Sequence, residues 1–132
     1  MNLLIKQATI IHPGSAHHGL IKDVLVVDGI IQQISDNISA SADEVIEQPN
    51  LHLSVGWMDI FAHFNDPGLE QKETLETGAA AAAAGGFTEL MLLPNTQPVV
   101  STKSIVEYIR QKAQALPVNI HPIAAITKNT EG

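Results

Sequence analysis

The chain has 132 residues, 45% of them apolar and 16% charged, which suits a modest globular protein and excludes a disordered one. Its formal charge of −7, with no basic cluster to offset it, argues against nucleic-acid binding. The absence of cysteine excludes disulfides, thiolate catalysis and Cys-ligated zinc.

The N-terminus, Met1-Asn2-Leu3-Leu4-Ile5-Lys6, lacks the long apolar segment of a signal peptide. No apolar run approaches the roughly 20 residues that cross a bilayer. The expectation is a cytoplasmic protein with no membrane partner.

Leu3 to Ile11 is rich in apolar and β-branched residues and stops at Pro13-Gly14, a turn dipeptide. Asp23 to Val27 and Ile30 to Ile34 read as two further strands joined by Asp28-Gly29, the strongest short hairpin signal. Val45-Ile46-Glu47 and Leu51-His52-Leu53 are candidate short strands. Residues 2–53 are therefore expected to be antiparallel β-structure, with a border near Asn50 to Gly56. His12, His17 and His18 cluster in the first turn region, where the alternatives are a metal site and a solvated loop. His52 reads as a boundary histidine with its ring satisfied.

The stretch from Val55 to Gly68 organises the rest. Trp57, Met58, Ile60 and Phe61 surround Asp59, between Gly56 and Pro67-Gly68, as in a buried strand bounded by turns. Strand alternation would put Asp59, Phe61, His63 and Asn65 on one face. Polar residues gathered at the carboxyl end of such a strand mark where active sites sit in α/β sheets and barrels.

A helix is expected from about Leu69 through the six alanines Ala79 to Ala84, with Gly85-Gly86 as its stop. Phe87 to Leu93 is the next strand, ending at Pro94-Asn95-Thr96-Gln97-Pro98. Ser101 reads as the N-cap of a second helix whose apolar stripe is Ile105, Val106, Ile109, Ala113 and Leu116. Val118 to Ile126 is a third strand, with Pro122 marking an irregularity or an edge. The order β-α-β-α-β implies parallel strands joined by right-handed crossovers. A closed eight-fold barrel needs about 250 residues, so a truncated chain, or one completed by a partner, is expected.

Three stretches together resemble dihydroorotases of the metal-dependent amidohydrolase superfamily. They are Gly56 to Gly68, Lys72 to Thr88, and Pro94-Asn95-Thr96-Gln97-Pro98. The resemblance implies an α/β chain in which residues 1–54 are part of a small β-sandwich. Residues 55–132 would be the first β-α-β-α-β part of a TIM-like (β/α)8 barrel. It also implies a zinc-dependent cyclic amide hydrolase of pyrimidine biosynthesis.

The family's first barrel strand reads Asp-x-His-x-His-x-Arg, followed by an acidic residue, Pro and Gly. Asp59 matches the aspartate and His63 the second zinc-binding histidine. Phe61 stands at the first histidine, and Asn65 at the arginine that holds the substrate carboxylate. Asp66, Pro67 and Gly68 match the end of the motif, and Asn95 matches a substrate-contacting asparagine. The resemblance thus makes His63 the candidate metal ligand and Asn65 and Asn95 the candidate substrate-binding residues. No catalytic residue is assigned.

Phe61 has no lone pair for zinc, and neutral Asn65 cannot make arginine's charged bidentate contact. Stoichiometric zinc and hydrolysis are therefore not expected of this chain, and a pseudoenzyme is the favoured reading. The family's inactive homologues pair with aspartate transcarbamoylase. The expected partners are accordingly further copies of the chain or another protein, for example that enzyme. Two alternatives stay open for His63, a leftover ligand or a strand-end histidine bonded to Asp59 or a neighbouring strand. For Asn95 the alternatives are substrate contact and turn chemistry.

Overall fold

The computed structural model describes residues 1–127. The chain divides into two units between Val55 and Gly56. The first carries strands β1 (Asn2–Ile11), β2 (Ile21–Val27), β3 (Ile30–Ser35), β4 (Glu44–Glu47) and β5 (His52–Ser54) in one sheet. The hairpin between β2 and β3 turns at Asp28 and Gly29, both at positive φ, as its dipeptide predicts.

Only part of this sheet is antiparallel. β1 pairs antiparallel with β2, but β4 and β5 lie parallel to β1, which corrects the expectation of a wholly antiparallel segment. The connection after β3 returns the chain to the other edge of β1, so β4 enters in the same direction as β1.

β1 changes register between Ile5 and Ala8, where Gln7 adopts a positive φ of 55°. The bulge aims the Gln7 N–H at Asp23 Oδ1, 2.9 Å away. Asp23 is wholly buried and also accepts from the Ile38 N–H at 3.0 Å. Burying a carboxylate is costly unless hydrogen bonds satisfy it, and the bulge supplies one of them.

The second unit runs β6 (Trp57–Ala62), α1 (Leu75–Ala84), β7 (Phe87–Leu92), α2 (Lys103–Ala113) and β8 (Asn119–Pro122). The three strands are parallel in the order β6-β7-β8, as the strand–helix alternation implies. Leu75, Leu90, Leu92 and Ile109 are fully buried between sheet and helices. Each contributes roughly 1.5–3 kcal/mol by removing its side chain from water.

Several expected boundaries move. α1 starts at Leu75 rather than near Leu69. Thr74 is its N-cap and forms a reciprocal capping pair with Thr77, so the preceding residues are free to form a loop. α2 is capped by Thr102 rather than Ser101, without a side-chain bond. β8 ends at Pro122, where the ladder loses an N–H donor.

β6 is not the buried strand that its sequence suggests. It is an edge of the described sheet, and Trp57, Met58, Ile60 and Phe61 are each at least half exposed. Its pairing also shifts between Asp59 and Ala62. Asp59 Oδ1 accepts the Phe61 N–H at 2.8 Å, and Phe61 and His63 nonetheless lie together, with their rings in contact.

Gly78 lies inside α1, where alanine would normally be favoured by about 1 kcal/mol. Here a Cβ would come within 2.4 Å of the Phe64 ring, and Phe64 packs against the core. Overpacking of this kind costs about 1–3 kcal/mol. Gly78→Ala is therefore expected to lower stability in urea unfolding by about 1 kcal/mol net. The sign should reverse in a Phe64→Ala background. A stabilising Gly78→Ala in the unaltered protein would refute the close packing.

Candidate functional site at the ends of strands β6 and β7

Three of the residues singled out by sequence lie where β6 and β7 end. Asn95 Nδ2 donates to His63 Nδ1 at 2.8 Å. Phe61 packs edge-on against the same imidazole, with ring centroids 5.4 Å apart and planes at 67°. His63 thus finds its partner in the segment after the neighbouring strand and not in Asp59, whose Oδ1 is bonded to the Phe61 backbone. Phe61 is 67% exposed among the described residues. Asn65 is half-buried, and its carbonyl accepts the Leu69 N–H at 2.8 Å.

The two loops that carry these residues are tied together. The Gln97 N–H donates to the Pro67 carbonyl at 2.9 Å, and the Leu93 N–H to the Ala62 carbonyl at 3.0 Å. Thr96, buried behind Asn95, closes its turn with a 2.7 Å bond to the Pro98 carbonyl. Gly68, at a φ of 104°, sits so close to Gln97 that a Cβ would meet the Gln97 carbonyl oxygen at 1.6 Å. Only glycine fits both that backbone and that approach.

Asp66 anchors the first loop. It is wholly buried, and its Oδ2 accepts from the Leu75 N–H at 3.2 Å and from Lys112 Nζ at 2.5 Å. Its Oδ1 accepts from the Tyr108 hydroxyl at 3.0 Å. Burial pushes this carboxyl up, but the bonds from Lys112, Leu75 and Tyr108 and the Lys112 charge outweigh it and hold the group below the usual carboxylate range. Burial alone would push the Lys112 ammonium down, yet its bonds to Asp66 and Glu76 push it up. Nothing in the sequence marked Tyr108 or Lys112. They lie 42 and 46 residues from Asp66, and only the packing of α2 brings them to it.

A cavity of about 270 Å³ opens beside this site, lined among others by Asp59, Phe61, His63, Phe64 and Glu73. The remaining histidines lie elsewhere. His18 Nδ1 accepts the His12 backbone N–H at 3.2 Å, and the His52 ring is bonded to the Asn50 carbonyl at 2.8 Å. On the sheet, Glu89 bridges Asn119 at 2.7 Å and His121 at 2.5 Å. The His121 bond, followed by that of Asn119, holds the Glu89 carboxyl low. Lys128 lies outside the described residues.

Comparison with solved structures places this architecture in a class. The chain is similar to an L-hydantoinase (dihydropyrimidinase) from Arthrobacter aurescens, with a TM-score of 0.77 at 24% identity, over 92% of this chain and 27% of that one. It is similar to a dihydroorotase with a TM-score of 0.70 at 16% identity, over 97% of this chain and 32% of that one. At these identities the likeness establishes the fold alone, that of part of a TIM-type α/β barrel.

Sequence narrows the class. A family model described as dihydro-orotase-like matches residues 50–132. The chain belongs to this dihydroorotase-like family. It is 44% identical over its whole length to a dihydroorotase of Geotalea daltonii, and 41% identical over 98% of its length to one of Acetivibrio thermocellus. It spans about a third of each relative, 31% and 30% respectively.

Family membership suggests zinc. A catalytic zinc takes about three protein ligands. Among the described residues no three His, Asp or Glu side chains converge. His63 is the one donor at the matching position, and its Nδ1 is occupied by the Asn95 amide. Phe61, at the other position of the pair, has no lone pair to offer, so this motif supplies one candidate ligand, His63. No helix among them is long and apolar enough to cross a membrane.

The depressed Asp66 carboxyl sets a pH dependence. A carboxyl lower in the folded than in the unfolded state stabilises the fold above its unfolded value, about 3.9. That contribution is lost as pH falls through the folded value. Asp66→Asn is expected to cost about 1.5–3 kcal/mol at neutral pH, the scale of hydrogen bonds to a charged group. The gap between the two proteins should narrow as pH drops below about 4. Chemical denaturation of both across pH checks it, and a gap that stayed constant into acid would refute the assignment.

Proposed function

We propose that this chain belongs to a dihydroorotase-type cyclic amide hydrolase scaffold that does not itself hydrolyse dihydroorotate and serves as a non-catalytic partner. The observation carrying this reading is the pair Phe61 and His63. One position of the family's first-strand ligand pair holds a phenyl ring, and the other holds an imidazole already bonded to Asn95. Asn65 weakens substrate capture as well. A hydrogen bond to a charged group is worth roughly 1.5–3 kcal/mol, so losing the arginine contact would lower affinity by one to two orders of magnitude.

An active hydrolase with an altered metal site is the second reading, favoured by the 44% identity to a relative named dihydroorotase. Metal content and turnover separate the two. After dialysis against micromolar zinc, no stoichiometric zinc at His63 and no turnover of dihydroorotate are expected. About one equivalent of zinc, with turnover above the uncatalysed rate, would establish the active-hydrolase reading instead.

The exposed edge of β6 supports association. Ile60 is 65% and Trp57 58% exposed beside the equally exposed Phe61. Ile126 is fully exposed as well, whereas Leu92 is buried beneath the helices. Exposed apolar strand edges recruit further chains. The proposed occupant is a second copy or a partner protein, with aspartate transcarbamoylase suggested by the family resemblance. Light scattering is expected to show a species larger than one chain. A clean monomer that does not aggregate would count against association.

A further inference from the structure

The cavity between β6 and α1 has walls of two kinds. Asp59 and Glu73 bring carboxylates to it, and Phe61, Phe64 and Phe87 bring phenyl rings. No lysine or arginine lines it. The space exists because α1 carries small side chains there. Gly78, Ala81 and Ala82 line it, so the alanine run leaves room that larger residues would fill.

Among the described residues no cation compensates either carboxylate, since neither takes part in an ion pair. Asp59 Oδ1 accepts the Phe61 N–H, and Glu73 Oε1 accepts from the Thr77 hydroxyl. The second oxygen of each stays open to a further donor. Both side chains are half-buried, and a charge pair formed there is screened less than one in open water. A phenyl face attracts a cation through its quadrupole. Rings and carboxylates thus favour the same sign of charge by independent means. The volume of about 270 Å³ exceeds the roughly 150 Å³ that encloses a benzene molecule, so one ring and one charged group fit together.

We propose that this cavity is a binding site for a small organic cation, an ammonium or guanidinium group on a compact apolar body. Asp59 and Glu73 take the charged group, and the body lies against the phenyl rings. The site is independent of dihydroorotate hydrolysis, because it uses neither Asn95 nor a metal.

Benzylamine is the probe, with benzyl alcohol and benzoate as its neutral and anionic counterparts. Each is titrated into the intact protein at about pH 8, where an ordinary imidazole such as that of His63 is neutral and an alkylammonium is charged. The backbone amide signals of Ala62, Gly78 and Ala81 report occupancy. Benzylamine is expected to shift them saturably in the millimolar range, the affinity that two half-exposed ion pairs and a cation–π contact supply. Glu73→Gln and Asp59→Asn keep an oxygen for the Thr77 and Phe61 bonds but lose the charge, and each should weaken binding by about fivefold. Ala81 is an exposed helix position where leucine sustains the helix. Ala81→Leu should fill the cavity and abolish the shifts while the unfolding midpoint stays the same.

Benzyl alcohol or benzoate binding as tightly as benzylamine would overturn the proposal. So would unchanged benzylamine affinity in the Glu73→Gln, Asp59→Asn double variant, undiminished binding by Ala81→Leu, or the lack of any saturable shift in the unaltered protein.

Discussion

The second unit depends on one buried carboxylate. Asp66 lies just beyond β6 and is shielded from water, yet three donors from two helices satisfy it. The Leu75 N–H fixes where α1 begins. Tyr108 and Lys112 fix how α2 lies against the same loop. Removing one member of such a cluster leaves the others desolvated, which is why a group this costly to bury can hold three elements in register. Asp23 plays the corresponding part in the first unit, where it ties the β1 bulge to the segment around Ile38.

The site follows from that anchoring. Because Asp66 holds the loop after β6, and Pro67 accepts from Gln97, the segment bearing Asn95 is brought to His63. The family motif is therefore divided in its role. Its last part, Asp66-Pro67-Gly68, performs architectural work, and the residues there match the pattern. Its middle part would perform the chemistry, and Phe61 and Asn65 depart from it. The carboxylate and the glycine that shape the loop, Asp66 and Gly68, are separate residues from those at the motif's middle positions.

The large features could be read from short-range signals. Asp28-Gly29 specifies a hairpin because both residues must adopt positive φ. Alternation of apolar strands with the Ala79–Ala84 run and the Ile105–Leu116 stripe specifies parallel strands crossed by helices. The irregular positions escaped. The register shift between Asp59 and Ala62 leaves no mark in an alternating pattern. The start of α1 escaped as well, because the residues from Leu69 to Glu73 carry helix-forming side chains that the Asp66 anchor and the Thr74 cap overrule.

By itself, then, the sequence determined the class of fold, the hairpin and the helical segments, all of which depend on residue type and local spacing. Only the tertiary structure decided what the surviving polar residues do. Asn95 lies 32 residues from His63, and Lys112 lies 46 from Asp66. A hydrogen bond forms at about 3 Å, and folding alone brings such distant residues to that distance and sets which of them donates.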